Sequence, residues 1–175
     1  MSEPLANITL DAAPLLRAID AAIAVLAQPR ALMDEIGADI EAKVNLRFDT
    51  KRDPLGQAWA PLSPATIEIY ESDWFKKRPE NNAYKNGIPG SLLERTRQLR
   101  NNLAYNTGPD WVEIGTSRAT KGNKWQIGML HEFGTEKMPR RGLLTADPET
   151  GTLAAEDEAD ILALVQQAMD GAFGG

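Results

Sequence analysis

The stretch Leu130-His131-Glu132-Phe133-Gly134-Thr135, followed by Met138-Pro139-Arg140-Arg141-Gly142-Leu143-Leu144, decides how the second half of this chain folds. It contains the single histidine of the 175 residues. A short apolar run ends at Gly134, and glycine readily adopts the positive φ that closes a helix C-terminus. Pro139 then prevents the helix from resuming. The pattern predicts a short helix followed by a tight reversal that carries a histidine, a glutamate and two arginines.

Length and composition indicate one soluble domain, residues 1–175, with a single core. The chain is 42% hydrophobic and 25% charged, as ordinary globular proteins are. It has no cysteine, which excludes disulfides and thiolate metal sites. No run approaches the roughly 20 apolar residues of a membrane helix, and residues 1–7 do not resemble a signal peptide. We therefore expect no membrane partner and synthesis in the cytoplasm.

The net charge of −6 is distributed in three blocks along the chain. Residues 1–73 hold 6 basic and 12 acidic side chains, and residues 74–141 hold 13 basic and 6 acidic ones. Residues 142–175 hold 7 acidic side chains and no basic one. Either acidic helices cover a basic sheet within one chain, or acidic and basic faces of neighbouring copies meet in a ring. We favour the first interpretation, because charge blocks are most often solvated faces.

Apolar spacing predicts helices in the first half of the chain. One helix follows a possible N-cap at Asp11, and a second runs from about Arg30 to Phe48 after a kink or short turn at Pro29. Ser63-Pro64 has the pattern of an N-cap followed by proline at the first helical position, so a third helix should follow. The apolar residues of the first two helices are Leu15, Leu16, Ile19, Ile23, Leu26, Leu32, Ile36, Ile40 and Val44.

The second half predicts a hairpin and a final helix. Residues 79–91 are rich in Asn, Gly and Pro, which is typical of a flexible loop. Two alternating runs within Leu103–Thr116 surround a turn at Thr107–Asp110. A last helix should run from about Leu153 to Phe173. The fold class is α+β: a small antiparallel sheet flanked by helices, with a long N-terminal helical segment and a C-terminal helix.

The sequence offers no convincing catalytic, cofactor or metal site. His131 and Glu132 are adjacent on a helix and do not face each other, so they form no dyad. One histidine without cysteine cannot supply the usual zinc ligands, and the carboxylates of Asp49 and Asp53 are better explained as a solvated loop. No phosphate-binding loop or nucleophile elbow is present. We expect no enzyme, no cofactor and no bound metal.

Nucleic-acid binding is the main alternative. The basic centre has aromatic residues near it, as single-strand binders do. Against this, the whole chain has a pI near 4.9 and contains no base-reading motif. An intermediate possibility is a ring whose lumen passes DNA without reading its sequence.

Five motifs in order resemble the virion morphogenesis, or tail completion, proteins of Mu-like tailed phages. They are D-P-x-G-x-x-W-x-P-L at 53–62, L-x-x-T-x-x-L at 93–99, V-x-I-G-T at 112–116, H-x-F-G at 131–134 and P-x-R-x-x-L at 139–144. The chain departs from the family pattern at Arg97-Gln98, at 126–128 and at Gly142. The resemblance implies a non-enzymatic structural protein of the virion, made in the host cytoplasm and placed at the head–tail junction or tail end. It also implies a homo-oligomeric ring, commonly a hexamer, whose partners are the tail tube and neck or connector proteins. A DNA-contacting or head-assembly protein of the same virion is the alternative.

The resemblance and the turn chemistry together suggest roles for individual residues. Arg141, with His131 and Glu132, is predicted at the subunit interface, where arginine can fork onto a carboxylate of a neighbouring copy. A second group is predicted to face a lumen, DNA or solvent: Arg140, Lys121 and Lys124. A third group is predicted to anchor the structure: Trp59, Pro61, Leu62, Phe133 and Gly134. Of these, Trp59 and Phe133 should be largely buried, within the subunit or at a subunit contact.

Overall fold

The computed structural model describes residues 13–27, 29–72, 92–94, 97–117 and 126–173. The predicted loop at 79–91, Lys121 and Lys124 lie outside these ranges. The elements are α1 (Ala13–Ala27), α2 (Arg30–Thr50), α3 (Pro64–Glu71), α4 (Gln98–Asn101), β1 (Leu103–Thr107), β2 (Val112–Thr116), α5 (Ile127–Phe133) and α6 (Ala155–Phe173). The predicted α+β class is confirmed: the two strands form an antiparallel sheet flanked by helices. In the described ranges, no helix combines the length and apolar character that a bilayer crossing requires.

The helix α2 is the centre of the subunit. Its residues Val44 and Phe48, one helical turn apart, are the largest fully buried side chains in the described ranges. They form the core together with Trp59, Leu99 and Leu143. The predicted spacing of apolar residues at every fourth position therefore does mark the buried face of α2. The hairpin and α6 pack around this helix. The core residues Trp59 and Leu143 come from loops.

The predicted hairpin is confirmed, with its turn between residues 107 and 112. Leu103 pairs with Thr116 and Thr107 pairs with Val112, and Gly108 N donates to Trp111 O across the turn at 2.9 Å. The Tyr105 ring lies directly against the backbone of α2, because a Cβ at Gly37 would come within 2.3 Å of it. A glycine in the interior of α2 is therefore what allows the sheet to dock on that helix.

The helix α1 packs on α6 and leaves several of its large apolar residues exposed. Ala22 is buried, whereas Leu16, Ile19 and Ile23 are exposed. The predicted helix is present and is separated from α2 by a turn at Pro29. These three apolar side chains therefore do not enter the core of the subunit.

Ion pairs connect the acidic C-terminal block to α2 rather than to the sheet. Asp157 of α6 accepts from Arg47 Nη2 at 2.5 Å, and the Nη1 group of Arg47 donates to Leu143 O at 2.7 Å. Lys43 lies 2.5 Å from Asp160. In the basic block, Arg100 is paired with Asp49, again on α2, at 2.6 Å. Acidic and basic side chains therefore do pair within the chain, as we favoured. The pairs form on α2, however, and not between acidic helices and a basic sheet.

Candidate functional site

The helix α5 ends where the sequence predicts it to end. Gly134 has φ 72° and ψ −176°, and its N–H donates to Leu130 O at 3.0 Å. This conformation is accessible essentially only to glycine. A Cβ at this position would also lie 2.9 Å from Arg140 N, so the chain passes too closely for any side chain. Gly134 therefore closes the helix and admits the returning strand of the reversal.

The reversal returns the chain to the side of α5. Thr135 N donates to Met138 O at 2.8 Å, and Met138 N donates to Thr135 O at 3.1 Å. Arg141 N then donates to His131 O at 2.8 Å. These backbone bonds, with a further hydrogen bond from Lys137 N to Thr135 Oγ1 at 3.3 Å, hold the turn, and it brings the segment after Pro139 back to the end of the helix.

Glu132 holds the returning segment through four hydrogen bonds. The residue is only 8% exposed, in spite of its charge. Its Oε2 accepts from Leu143 N at 2.6 Å and from Leu144 N at 3.1 Å. Its Oε1 accepts from Thr145 N at 2.9 Å and from Thr145 Oγ1 at 2.6 Å. A carboxylate that binds consecutive backbone N–H groups acts as a structural clamp within the subunit, which differs from the interface role we predicted for Glu132.

Arg140 is folded back onto the same loop. Its Nε donates to Glu132 O at 2.8 Å, and its Nη2 donates to Thr145 O at 2.5 Å. The guanidinium also lies 3.5 Å from Glu132 Oε1. Two backbone carbonyl groups therefore bind the Arg140 guanidinium, while 27% of its side chain is exposed; that it faces a lumen or solvent stays a prediction.

Arg141 connects the reversal to the tryptophan segment about 80 residues earlier. Its Nε donates to Ala60 O at 2.9 Å, and its Nη2 donates to Pro61 O at 3.0 Å. The residue is only 6% exposed. We predicted that the Arg141 guanidinium is exposed and binds a carboxylate of a neighbouring copy. In the structure, two of its three nitrogens donate hydrogen bonds within the subunit. The third, Nη1, has no hydrogen-bond partner in the part of the chain that the structure describes.

Trp59 is buried in the subunit, as predicted. It is 5% exposed and meets Phe48 edge to face, with 5.8 Å between the ring centroids and 82° between the planes. Its Nε1 donates to Gly142 O at 3.2 Å. Pro61 next to it is exposed and Leu62 is half-buried, so the core anchor of this segment is the tryptophan.

Phe133 is 54% exposed, so the prediction that it is buried within the subunit is wrong. Adjacent helical residues point about 100° apart. Because α5 turns Glu132 inward, its neighbour Phe133 is directed outward. Phe133 and the exposed Met129 border a cavity of about 380 Å³ between α5 and β2. Burial of Phe133 at a subunit contact, the other alternative, stays a prediction.

His131 lies in the wall of a larger cavity of about 420 Å³. Segments 61–70 and 137–141 provide much of the lining, and Tyr70, Lys137 and Arg141 contribute to it. Burial, together with the nearby charge of Arg141, lowers the pKa of His131 from 6.5 to about 4. The buried Nδ1 atom of His131 has no hydrogen-bond partner among the described residues. At neutral pH the imidazole is therefore uncharged, and the cationic groups among the described lining residues are Lys137 and Arg141.

Sequence reasoning did not identify Tyr70 or Lys137 as part of this site. The cavity forms only when two segments some 70 residues apart come together, and neither residue stands in a pattern of its own. Within the described ranges, no group of three or more potential ligands could hold a metal ion.

The sequence model of the phage virion morphogenesis family matches residues 10–170. The match includes the clamp of Glu132, the tryptophan segment, the hairpin and most of α6. No curated protein and no solved structure gives a significant match.

Proposed function

The chain belongs to the phage virion morphogenesis family, and on that premise we propose that it completes the tail of a tailed phage, as a homo-oligomeric ring that joins the tail tube to the head. Membership of this family gives the protein a structural or assembly role in a phage and associates it with the virion. Beyond this family role, we propose three things: a position where the tail tube joins the head, assembly as a ring, and contact with the tail tube and the neck or connector proteins.

The observation that carries the proposal is the exposure of apolar side chains on elements far apart in the chain. Leu16 and Ile23 are exposed on α1, and Met129 and Phe133 are exposed on α5. Apolar surface of this kind marks interaction sites when it is contiguous. A head-to-tail ring joins two different surfaces of each subunit, so every copy must present both. Two separate apolar surfaces are what such an arrangement requires.

We also propose that the protein has no enzymatic activity. The buried charged residues of the described ranges have structural partners. Arg47 pairs with Asp157, Glu132 binds backbone N–H groups, and Arg141 binds backbone carbonyls. A catalytic carboxylate needs access to a substrate, and the buried carboxylates of Glu132 and Asp157 are occupied by these partners.

Arg140 and Arg141 give no support to the alternative of DNA contact. Each guanidinium donates two hydrogen bonds to backbone carbonyls of its own subunit. Phosphate binding would require these arginines to abandon those partners. If DNA passes the lumen of a ring, we expect other basic residues to face it.

Electron microscopy of virions that lack the protein tests the proposed role. We expect full heads beside unjoined or overlong tails, because the step that fails is the termination and joining of the tail. Empty or absent heads would refute tail completion and would point to head assembly. Light scattering coupled to size exclusion tests the ring separately on the purified protein.

A further inference from the structure

The cavity beside His131 has an unbalanced charge. Two cationic side chains, Lys137 and Arg141, line it, and no carboxylate is found among its described lining residues. Lys137 is exposed and makes no ion pair in the ranges that the structure describes. Arg141 Nη1 is also without a partner there. Cationic donors that have no anionic partner among the described residues make this cavity an acceptor for an acidic group.

The first turn of α6 carries acidic side chains, whose charge is opposite to that of the cavity. Among Glu156, Asp157 and Glu158, the middle residue is buried and pairs with Arg47. The two glutamates on either side of it are exposed and have no ion pair in the described part of the chain. Asp157 thus fixes the turn on α2, and this holds the two glutamates outward on a rigid element.

We propose that the cavity between α3 and the Lys137–Arg141 segment binds the exposed glutamates of the α6 first turn of a second copy of this chain. The inference rests on the proposed ring and names its polar contact. Charge complementarity selects the occupant. Residues 142–175, which include α6, carry 7 acidic and no basic side chains, whereas residues 74–141, which include Lys137 and Arg141, carry 13 basic and 6 acidic ones. A cavity of about 420 Å³ has room for several side chains of a neighbour.

The contact is between two different surfaces, so it can propagate from copy to copy around a ring. Its charged side chains should also affect how fast two copies meet. Exposed lysine and glutamate side chains accelerate the encounter of two copies, and their attraction weakens as salt is added. The ring should therefore assemble more weakly at high ionic strength.

Charge reversal tests the contact on the full-length protein. The variants are Lys137→Glu and the double variant Glu156→Lys/Glu158→Lys, with Arg30→Glu and Glu35→Lys as exposed controls away from the cavity. Each reversed variant alone brings like charges together, and we expect its self-association to weaken on the order of a hundredfold. In a 1:1 mixture of the two, every contact again joins opposite charges, so rings should reappear with the copies alternating. Thermal melting of each variant checks that the subunit itself remains folded.

The outcomes distinguish this inference from the proposed function. A wild-type ring that Lys137→Glu leaves intact overturns the inference and leaves the ring standing. A defect in Lys137→Glu that the mixture does not restore shows that the occupant is not the α6 turn, and also overturns it. A wild-type protein that stays monomeric at all concentrations overturns the ring and the inference together.

Discussion

Removing the Glu132 carboxylate should cost the subunit a large part of its stability. In Glu132→Ala, the N–H groups of Leu143, Leu144 and Thr145 lose their acceptor. Leu143 is buried, and a buried donor without a partner costs about 1–3 kcal/mol. The other two donors are half-buried, and at roughly 1 kcal/mol each they bring the expected loss to about 3–5 kcal/mol.

The assay is urea denaturation of the purified protein, followed by tryptophan fluorescence. The midpoint should fall with an unchanged m-value, since the surface exposed on unfolding is the same. Glu132→Gln keeps one acceptor oxygen and should lie between wild type and Glu132→Ala. Glu136→Ala, which removes an exposed carboxylate four residues away, should change stability by less than about 0.5 kcal/mol. A Glu132→Ala protein within about 1 kcal/mol of wild type would refute the idea that this carboxylate holds the returning segment.

Three further predictions concern the same region. Trp59→Ala should cost about 3–5 kcal/mol, and Trp111→Ala, on an exposed ring, well under half as much; equal losses would contradict the anchoring role. The pKa of His131 is lower in the folded state than in the unfolded state, so the unfolded chain takes up a proton first as the pH falls below 6.5. Stability should therefore fall by roughly 2 kcal/mol between pH 7 and pH 5, and melting curves of His131→Gln should lose this dependence. Gly134→Ala should destabilise by about 1–3 kcal/mol from backbone strain alone, and unchanged melting would show that the reversal tolerates a side chain.

Periodic features of this fold could be predicted from the sequence. The apolar residues at every fourth position located the buried face of α2, and two alternating runs about Gly108 located the hairpin. Gly134 and Pro139 located the end of α5. Each of these features depends on residues within a few positions of one another, so the local sequence contains the information.

The directions of single side chains could not be predicted in the same way. A helix of seven residues such as α5 is too short for its apolar spacing to fix which face is buried, and so the burial of Glu132 and the exposure of Phe133 were not predicted. Arg141 was found by its motif, but its acceptors are backbone carbonyls, which exist at every position and leave no sequence signal. The cavity of His131 depends on two distant segments and was missed for the same reason.

The bonds that close the core also determine when it can form during synthesis. Arg47 needs Asp157, 110 positions later, and Trp59 needs Gly142, 83 positions later. While the ribosome is still adding the hairpin, α2 is already synthesised, but Gly142, Leu143 and Asp157, which pack on it or bond to its core, are not. Contacts of such long range slow folding and leave apolar surface open to aggregation in the meantime. We expect chains truncated after β2 to be degraded by proteases that spare the full chain, and we expect yields in the host to depend on chaperones.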